Sequence, residues 1–229
     1  MELNDTSSPR TLILDCNRFE LAAIADSLRL QGVNVIGEAR DTATATHLFT
    51  ALSPDAVVIN YQGCDEPIVA AIHALRESAP ALGIVLLTHS PDLRLYGISE
   101  GDLPSGTQII EKSALVDLRE LRKAIDASII PGIHTRWVAN DWDGALSSLT
   151  NIQVETLRLL ALGLSNSDIG RTRFVSEKSV EQTIARIAGH LHITHEHGRN
   201  MRVILAAEYF KWLGAPRQHA LTSRSSLLA

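Results

Sequence analysis

The chain has 229 residues, 45% hydrophobic and 21% charged, with a net charge of −5; this is the composition of a globular protein of one or two domains, not of a disordered or fibrous chain. No apolar run approaches the ~18 residues of a membrane span, and residues 1–10 lack the apolar centre of a signal peptide. Two cysteines, Cys16 and Cys64, are too few for a disulfide framework or a four-thiolate zinc site, so a reducing cytoplasm is the expected location.

The charge is divided unevenly. Residues 1–130 hold 18 acidic and 10 basic side chains, net −8; residues 131–229 hold 8 and 11, net +3, with six of the nine histidines. An acidic half joined to a mildly basic half suggests a control domain attached to a nucleic-acid-binding domain.

The elements alternate from the start. Thr11-Leu12-Ile13-Leu14 predicts a strand ending at Asp15. A helix follows through Phe19, Leu21, Ala22, Ile24, Ala25, Leu28 and Leu30, stopped by Gly32. Val33 to Ile36 predicts a second strand, and Ala43 to Leu52 a second helix with His47 and Leu48 on its apolar stripe. Ala56 to Ile59 is a third strand, ending at Asn60, and Pro67 to Glu77 a third helix. Gly83 to Leu87 is a fourth strand, Gln108 to Ile110 a fifth, and Leu115 to Ala127 the last helix of this half. Between the fourth and fifth strands, residues 90–107 are rich in Gly, Ser and Pro, which predicts a short or irregular helix there. Apolar strands separated by helices imply βαβ units and a parallel sheet covered on both faces. Ligands of such sheets sit at the carboxyl ends of the strands.

Four positions fall at those ends: Asp15, Asn60, Thr88 and Lys112. Their order and spacing over residues 10–129 resemble the receiver domain of the bacterial response regulators. The resemblance implies a flavodoxin-like, doubly wound, five-stranded parallel sheet. It also implies a pocket with an acidic pair after strand one, a phospho-accepting aspartate after strand three, Ser or Thr after strand four and Lys after strand five. The departures lie in the chemistry. Asn60 stands at the acceptor position, and its amide nitrogen lone pair is delocalised into the carbonyl. Cys16 stands where the second acid holds Mg²⁺, a hard ion that requires carboxylate oxygens. Ile109 replaces the aromatic often found three residues before the lysine. A receiver lacking its phosphorylation chemistry is therefore expected, with Asp15 and Lys112 paired in the pocket. If Cys16 is a thiol exposed there, it is a candidate for oxidation; a buried apolar thiol is inert.

Ile130-Pro131-Gly132 breaks the pattern, and residues 130–146 read as a linker. Thr150 and Gln153 form a capping box before Val154, Leu157, Leu160, Ala161 and Leu164 at helical spacing. Ser165 or Asn166 caps a short second helix containing Ile169. Phe174-Val175-Ser176 is the turn. Ser176 caps a third helix with Val180, Ile184, Ile187, Ala188 and Leu191 on one stripe. Arg199 to Phe210 supplies a fourth helix, with Val203, Ala206, Ala207 and Phe210 as its apolar positions. Over residues 147–212 this resembles the LuxR/NarL helix-turn-helix, through Leu149-Thr150, Leu157, Gly163-Leu164-Ser165-Asn166, Ile169, Ser176, Ser179-Val180, Ile187 and Leu191.

The resemblance implies an all-α four-helix domain whose third helix enters the major groove, with Glu181, Gln182 and Ala185 at the main reading positions. Lys178, Ser179, Arg186 and His190 share the outward face, and Ser176 caps the helix. Arg171, Arg173, Lys178, Arg186, Arg199 and Arg202 are the candidates for phosphate contact. The family usually has Lys at the position of Glu181 and near His190, so this helix is poor in cations and a shallow salt slope is expected. His190, His192, His195 and His197 are dense in sequence, but positions 190 and 192 point to different sides of a helix, and no metal is expected.

The expected partners are double-stranded promoter DNA and a second copy of the chain. At the receiver, RNA polymerase or a small-molecule or protein effector is expected. Neither cofactor nor catalysis is expected, since no Gly-rich phosphate loop or nucleophile–base pair is visible. The alternative is an interaction protein with little DNA affinity of its own. Residues 1–9 and 213–229 read as disordered.

Overall fold

The computed structural model describes residues 8–61, 68–115, 117, 119–130, 136–137, 144–193 and 199–214. The expectations for residues 1–7 and 215–229, and for His195 and His197, lie outside them. The chain divides into two compact units. One comprises Met1–Leu93 with Ile98–Trp142, the other Arg94–Gly97 with Asp143–Ala229. Among the described residues no helix is long and apolar enough to cross a membrane.

The first unit is a parallel sheet in the order β2-β1-β3-β4-β5-β6, with β1 Arg10–Leu14, β2 Asn34–Ala39, β3 Ala56–Asn60, β4 Gly83–Thr88, β5 Gln108–Glu111 and β6 Arg136–Trp137. The first five strands are those expected. The sixth is a two-residue pairing onto Ile109 and Ile110, contributed by the stretch read as a linker. Its backbone covers an edge that would otherwise present unpaired amides.

Helices α1 (Arg18–Leu30), α2 (Thr42–Leu52), α3 (Ile68–Ser78) and α4 (Arg119–Ser128) connect the strands. Every residue of β3 and β4 is buried, which is why these strands read as unbroken apolar runs. Alternation divides their side chains between two faces. Ile13, Val58, Val85, Leu87 and Ile110 pack with Leu21, Ala25 and Leu28 of α1 and Leu121, Ala124 and Ile125 of α4.

Two details differ from the sequence reading. In α2 the inward residue is Ala45, while His47 is exposed; Thr42 and Asp41 start the helix and set the phase of its stripe. Between β4 and β5 no α-helix forms. Two 3₁₀ turns, Leu93–Tyr96 and Glu100–Asp102, take its place, as the glycines and prolines of that stretch predict.

The second unit contains a single turn, α5 (Gly144–Ser147), then α6 (Asn151–Ala161), α7 (Asn166–Arg173), α8 (Glu177–His190) and α9 (Met201–Trp212). Each of α6 to α8 starts where its capping residue predicts. Thr150 and Gln153 exchange side-chain to backbone hydrogen bonds. Ser165 accepts from the amide of Asp168, and Ser176 from that of Ser179. Phe174 closes α7 at φ 56°, and the Val175 amide returns to the Gly170 carbonyl at 2.9 Å. A Cβ at Gly170 would lie 2.8 Å from the Val175 carbonyl, so this turn requires glycine for its close backbone approach.

In α9 the sequence stripe faces the wrong way. Leu205, Tyr209 and Trp212 are buried, while Val203 is 66% and Phe210 41% exposed. Tyr and Trp bring larger apolar surfaces to the core than Val and Ala, and their spacing of four, then three, makes an equally good stripe.

Candidate functional site

The strand ends bring the first set of candidates together. Leu14 lies beside Ile59, Asn60 beside Leu87, and Thr88 beside Glu111, so Asp15, Asn60, Thr88 and Lys112 emerge along one edge. Asp15 and Thr88 are fully buried and Asn60 nearly so. Asn60 Nδ2 donates to Asp15 Oδ2 at 2.7 Å and to Glu20 Oε2 at 2.9 Å. Lys112 Nζ donates to the same Glu20 oxygen, forming an ion pair. Asp15 Oδ1 accepts from the Asn17 amide at 2.8 Å. The Thr88 hydroxyl turns back into the sheet and donates to the Ile110 carbonyl at 3.4 Å.

The expected Asp15–Lys112 pair is not among the ion pairs of the described residues. Lys112 pairs with Glu20 instead, while the Asp15 oxygens accept from the Asn17 amide and from Asn60. Glu20 is the pocket residue that sequence reasoning missed. An acid in the first turn of a helix reads as a partner for the helix dipole, and nothing in its spacing points to the sheet edge.

Electrostatics follow from these contacts. Burial pushes the Asp15 carboxyl up, against the opposing pull of the hydrogen bonds from Asn60 and Asn17. The Lys112 hydrogen bond draws the Glu20 carboxyl below the usual range. His89, half-buried nearby, is pushed down first by burial and then by the charge of Lys112.

Cys16 is disulfide-bonded, which corrects the expectation of a thiol. The only other cysteine of the sequence, Cys64, lies outside the described residues. The two follow β1 and β3, which are neighbours in the sheet. These residues do not fit Mg²⁺. A disulfide sulfur offers no charged oxygen, and Asn60 directs N–H donors at the carboxylates that would have to face the ion.

The second set of candidates lies on α8. Lys178, Glu181, Gln182, Ala185, Arg186 and His190 are exposed, opposite a buried stripe of Val180, Thr183, Ile184, Ile187 and Ala188. Ser179 is half-buried, with its amide in the cap and its carbonyl accepting from Thr183, so it contributes less to the outward face than expected. Leu191 lies beyond the helix as its C-cap.

Several candidate cations are engaged within the unit. Arg173 Nη1 donates to Thr156 Oγ1 at 2.5 Å. Arg202 donates to Asn166 Oδ1 at 2.5 Å and to the Leu164 carbonyl. Arg171 pairs with Asp168 and is 76% exposed, and Arg199 is exposed ahead of α9. Arg173 and Arg202 thus tie helices together rather than extending outward, because each fork finds an acceptor on a neighbouring helix. Among the described residues no group of three His, Cys, Asp or Glu is placed to hold a metal.

Residues 147–198 match the family of bacterial regulatory proteins, luxR family. Over 197 residues the chain is 26% identical to the transcriptional regulatory protein LiaR of Bacillus subtilis (strain 168), covering 81% of this chain and 92% of LiaR. Over 185 residues it is 23% identical to the DNA-binding transcriptional activator EvgA of Escherichia coli (strain K12), covering 77% and 88% respectively. The fold is similar to that of the two-component response regulator RcsB in its DNA complex, with a TM-score of 0.53 at 18% identity, covering 90% of this chain and 99% of that one. A structure of two RcsB dimers bound to two parallel DNAs gives 0.55 at 19% identity, with the same coverage. A receiver-like α/β domain thus precedes a segment, residues 147–198, that matches the luxR family, and across both domains the chain is similar to LiaR, EvgA and RcsB.

Proposed function

We propose that the protein is a DNA-binding transcriptional regulator that binds promoter DNA as a dimer, without aspartate phosphorylation. The observation that carries DNA binding is α8, whose stripe from Lys178 to His190 is free of packing while its opposite face is fully committed to the core. Such a helix presents its early side chains to base edges in the major groove. Gln182 suits adenine with two hydrogen bonds, and Glu181 suits the amino group of cytosine, each good pair discriminating by about 1–3 kcal/mol. Lys178, Arg171, Arg186 and Arg199 are the proposed phosphate contacts.

Independence from phosphorylation is supported by Asn60, which is fully engaged as a donor between two carboxylates. Dimerisation is supported by Val203, Ala207 and Phe210, which form an exposed apolar stripe on α9. Selection from genomic DNA with the unmodified full-length protein tests this reading. Enrichment of a two-fold symmetric site supports it; no enrichment ends it.

A second reading, an interaction protein with vestigial DNA affinity, is favoured by one observation. Glu181 sits on the reading face while Arg173 and Arg202 are used internally. Replacing Glu181 with Lys separates the two. If Glu181 reads a base, the preferred sequence changes; if binding is vestigial, only nonspecific affinity rises.

A further inference from the structure

Glu20 holds the pocket together in a way that neither its helix nor the sheet requires. Its carboxylate enters from α1, and its Oε2 receives both Asn60 Nδ2, from the end of β3, and Lys112 Nζ, from the end of β5. The glutamate side chain is 38% exposed and that of Lys112 18%, while Asn60 is 1% exposed. The carboxylate therefore closes the mouth of a site whose floor is buried. Floor and wall supply what a small oxyanion needs, a fixed N–H donor and an ammonium. Among the described residues Asp15 also lies on the floor, and it is bonded to the Asn17 amide and to Asn60.

We propose that Glu20 is a built-in occupant of an anion site formed by Asn60 and Lys112, taking by an internal carboxylate the place of an external oxyanion. The site is thereby satisfied without any donor of a phosphoryl group. Glu20 is a positioning residue here. It keeps Lys112 drawn over the strand ends and gives Asn60 its second acceptor. The hydrogen bond from Lys112, which draws the Glu20 carboxyl below its usual range, keeps the occupant charged at neutral pH.

The inference deepens the phosphorylation-independent reading and rests on it for its meaning. Its test uses no DNA, so either can fail without the other. The probe is inorganic phosphate, titrated into the full-length protein by calorimetry and by thermal melting, with sodium chloride at equal ionic strength as control. Wild type is expected to show no saturable binding. Glu20→Ala is expected to melt lower by about 2–4 °C, the shift that about 1 kcal/mol produces in a chain of this size. It should then bind one phosphate and recover that loss as phosphate saturates. Adding Lys112→Ala to Glu20→Ala should abolish both binding and recovery.

A phosphate response in Glu20→Ala equal to that of wild type overturns the proposal, as does saturable phosphate binding by wild type itself. Glu20→Gln, which preserves the side-chain shape, gives an independent reading by NMR. In wild type the Asn60 side-chain amide should report two acid titrations, from Glu20 and Asp15; in Glu20→Gln it should report one. Two transitions persisting in the variant also overturn the proposal.

Discussion

Asn60 is best understood by counting charges around it. Its amide nitrogen lies between the carboxylates of Asp15 and Glu20, with Lys112 as the cation beside Glu20. An aspartate would put a third carboxylate into this cluster and remove the donor that the other two share. Asn60→Asp is therefore expected to destabilise the protein by about 1–3 kcal/mol, the cost of a buried polar group left without its partner. Urea denaturation in the presence of a chelator measures this, and equal or greater stability in the variant would contradict it.

The same pocket sets a pH dependence. Because the folded-state pKa of Glu20 is depressed, its contribution is fully present above the ordinary glutamate pKa of about 4.3 and is lost as pH falls through the folded value. Asp15 has the opposite sign. Its pKa is raised by burial, so the fold gains from its protonation as pH falls. His89, depressed by burial and by Lys112, costs the fold nothing above the ordinary histidine pKa and increasingly disfavours it as pH falls from there to the folded value. The stability gap between wild type and Glu20→Gln isolates the first of these. It should be largest at neutral pH and shrink below about pH 4; a gap constant from pH 7 to pH 3 would refute the ion pair.

The helix starts of the second unit illustrate local determination. Ser176 has extended backbone and accepts from the Ser179 amide, satisfying one of the orphan donors at the start of α8. It also fixes where the helix begins, and so which side chains share its outward face. Ser176→Ala should cost about 1 kcal/mol by chemical denaturation, while Ser176→Asp, which keeps the cap, should cost little. In the first unit, Gly83 opens β4 where α4 ends. A Cβ there would lie 2.8 Å from Ile129 Cγ2 and 2.2 Å from Ser128 Oγ, so the close approach of helix to strand depends on the missing side chain.

For the protein acting on DNA, two consequences follow. Arg173 and Arg202 are held inside the helix-turn-helix unit, which among the described candidate cations leaves Arg171, Lys178, Arg186 and Arg199 for phosphate. With four proposed contacts per monomer, eight per dimer, the logarithm of affinity should fall with the logarithm of salt concentration with a slope no steeper than about −7. A slope near that of lac repressor, about −10, would contradict this placement. The exposed stripe of α9 gives the second. Val203→Glu, on a surface where the side chain is 66% exposed, should leave the monomer's stability within about 0.5 kcal/mol yet abolish cooperative occupancy of paired half-sites. Unchanged cooperativity in gel-shift titrations would exclude α9 as the dimer surface.

The sequence by itself determined everything governed by local chemistry and period. Apolar runs at Leu12–Leu14, Val57–Ile59 and Ile84–Leu87 marked buried parallel strands, and their ends marked Asp15, Asn60, Thr88 and Lys112 as neighbours. Thr150, Ser165 and Ser176 marked helix starts, because a cap acts within three residues of itself. Only the tertiary structure decided which partners these groups take. Glu20 is 40 residues from Asn60 and 92 from Lys112 in sequence, and its place over the sheet edge depends on how α1 packs. The same holds for Arg173 and Arg202, which looked like surface cations until neighbouring helices supplied acceptors. It holds too for α9, where two stripes were equally periodic and core packing chose the one with Tyr209 and Trp212. Local patterns fix elements and their starts; the pairing of long polar side chains, and the choice between competing apolar faces, depends on neighbours that only the folded chain brings together.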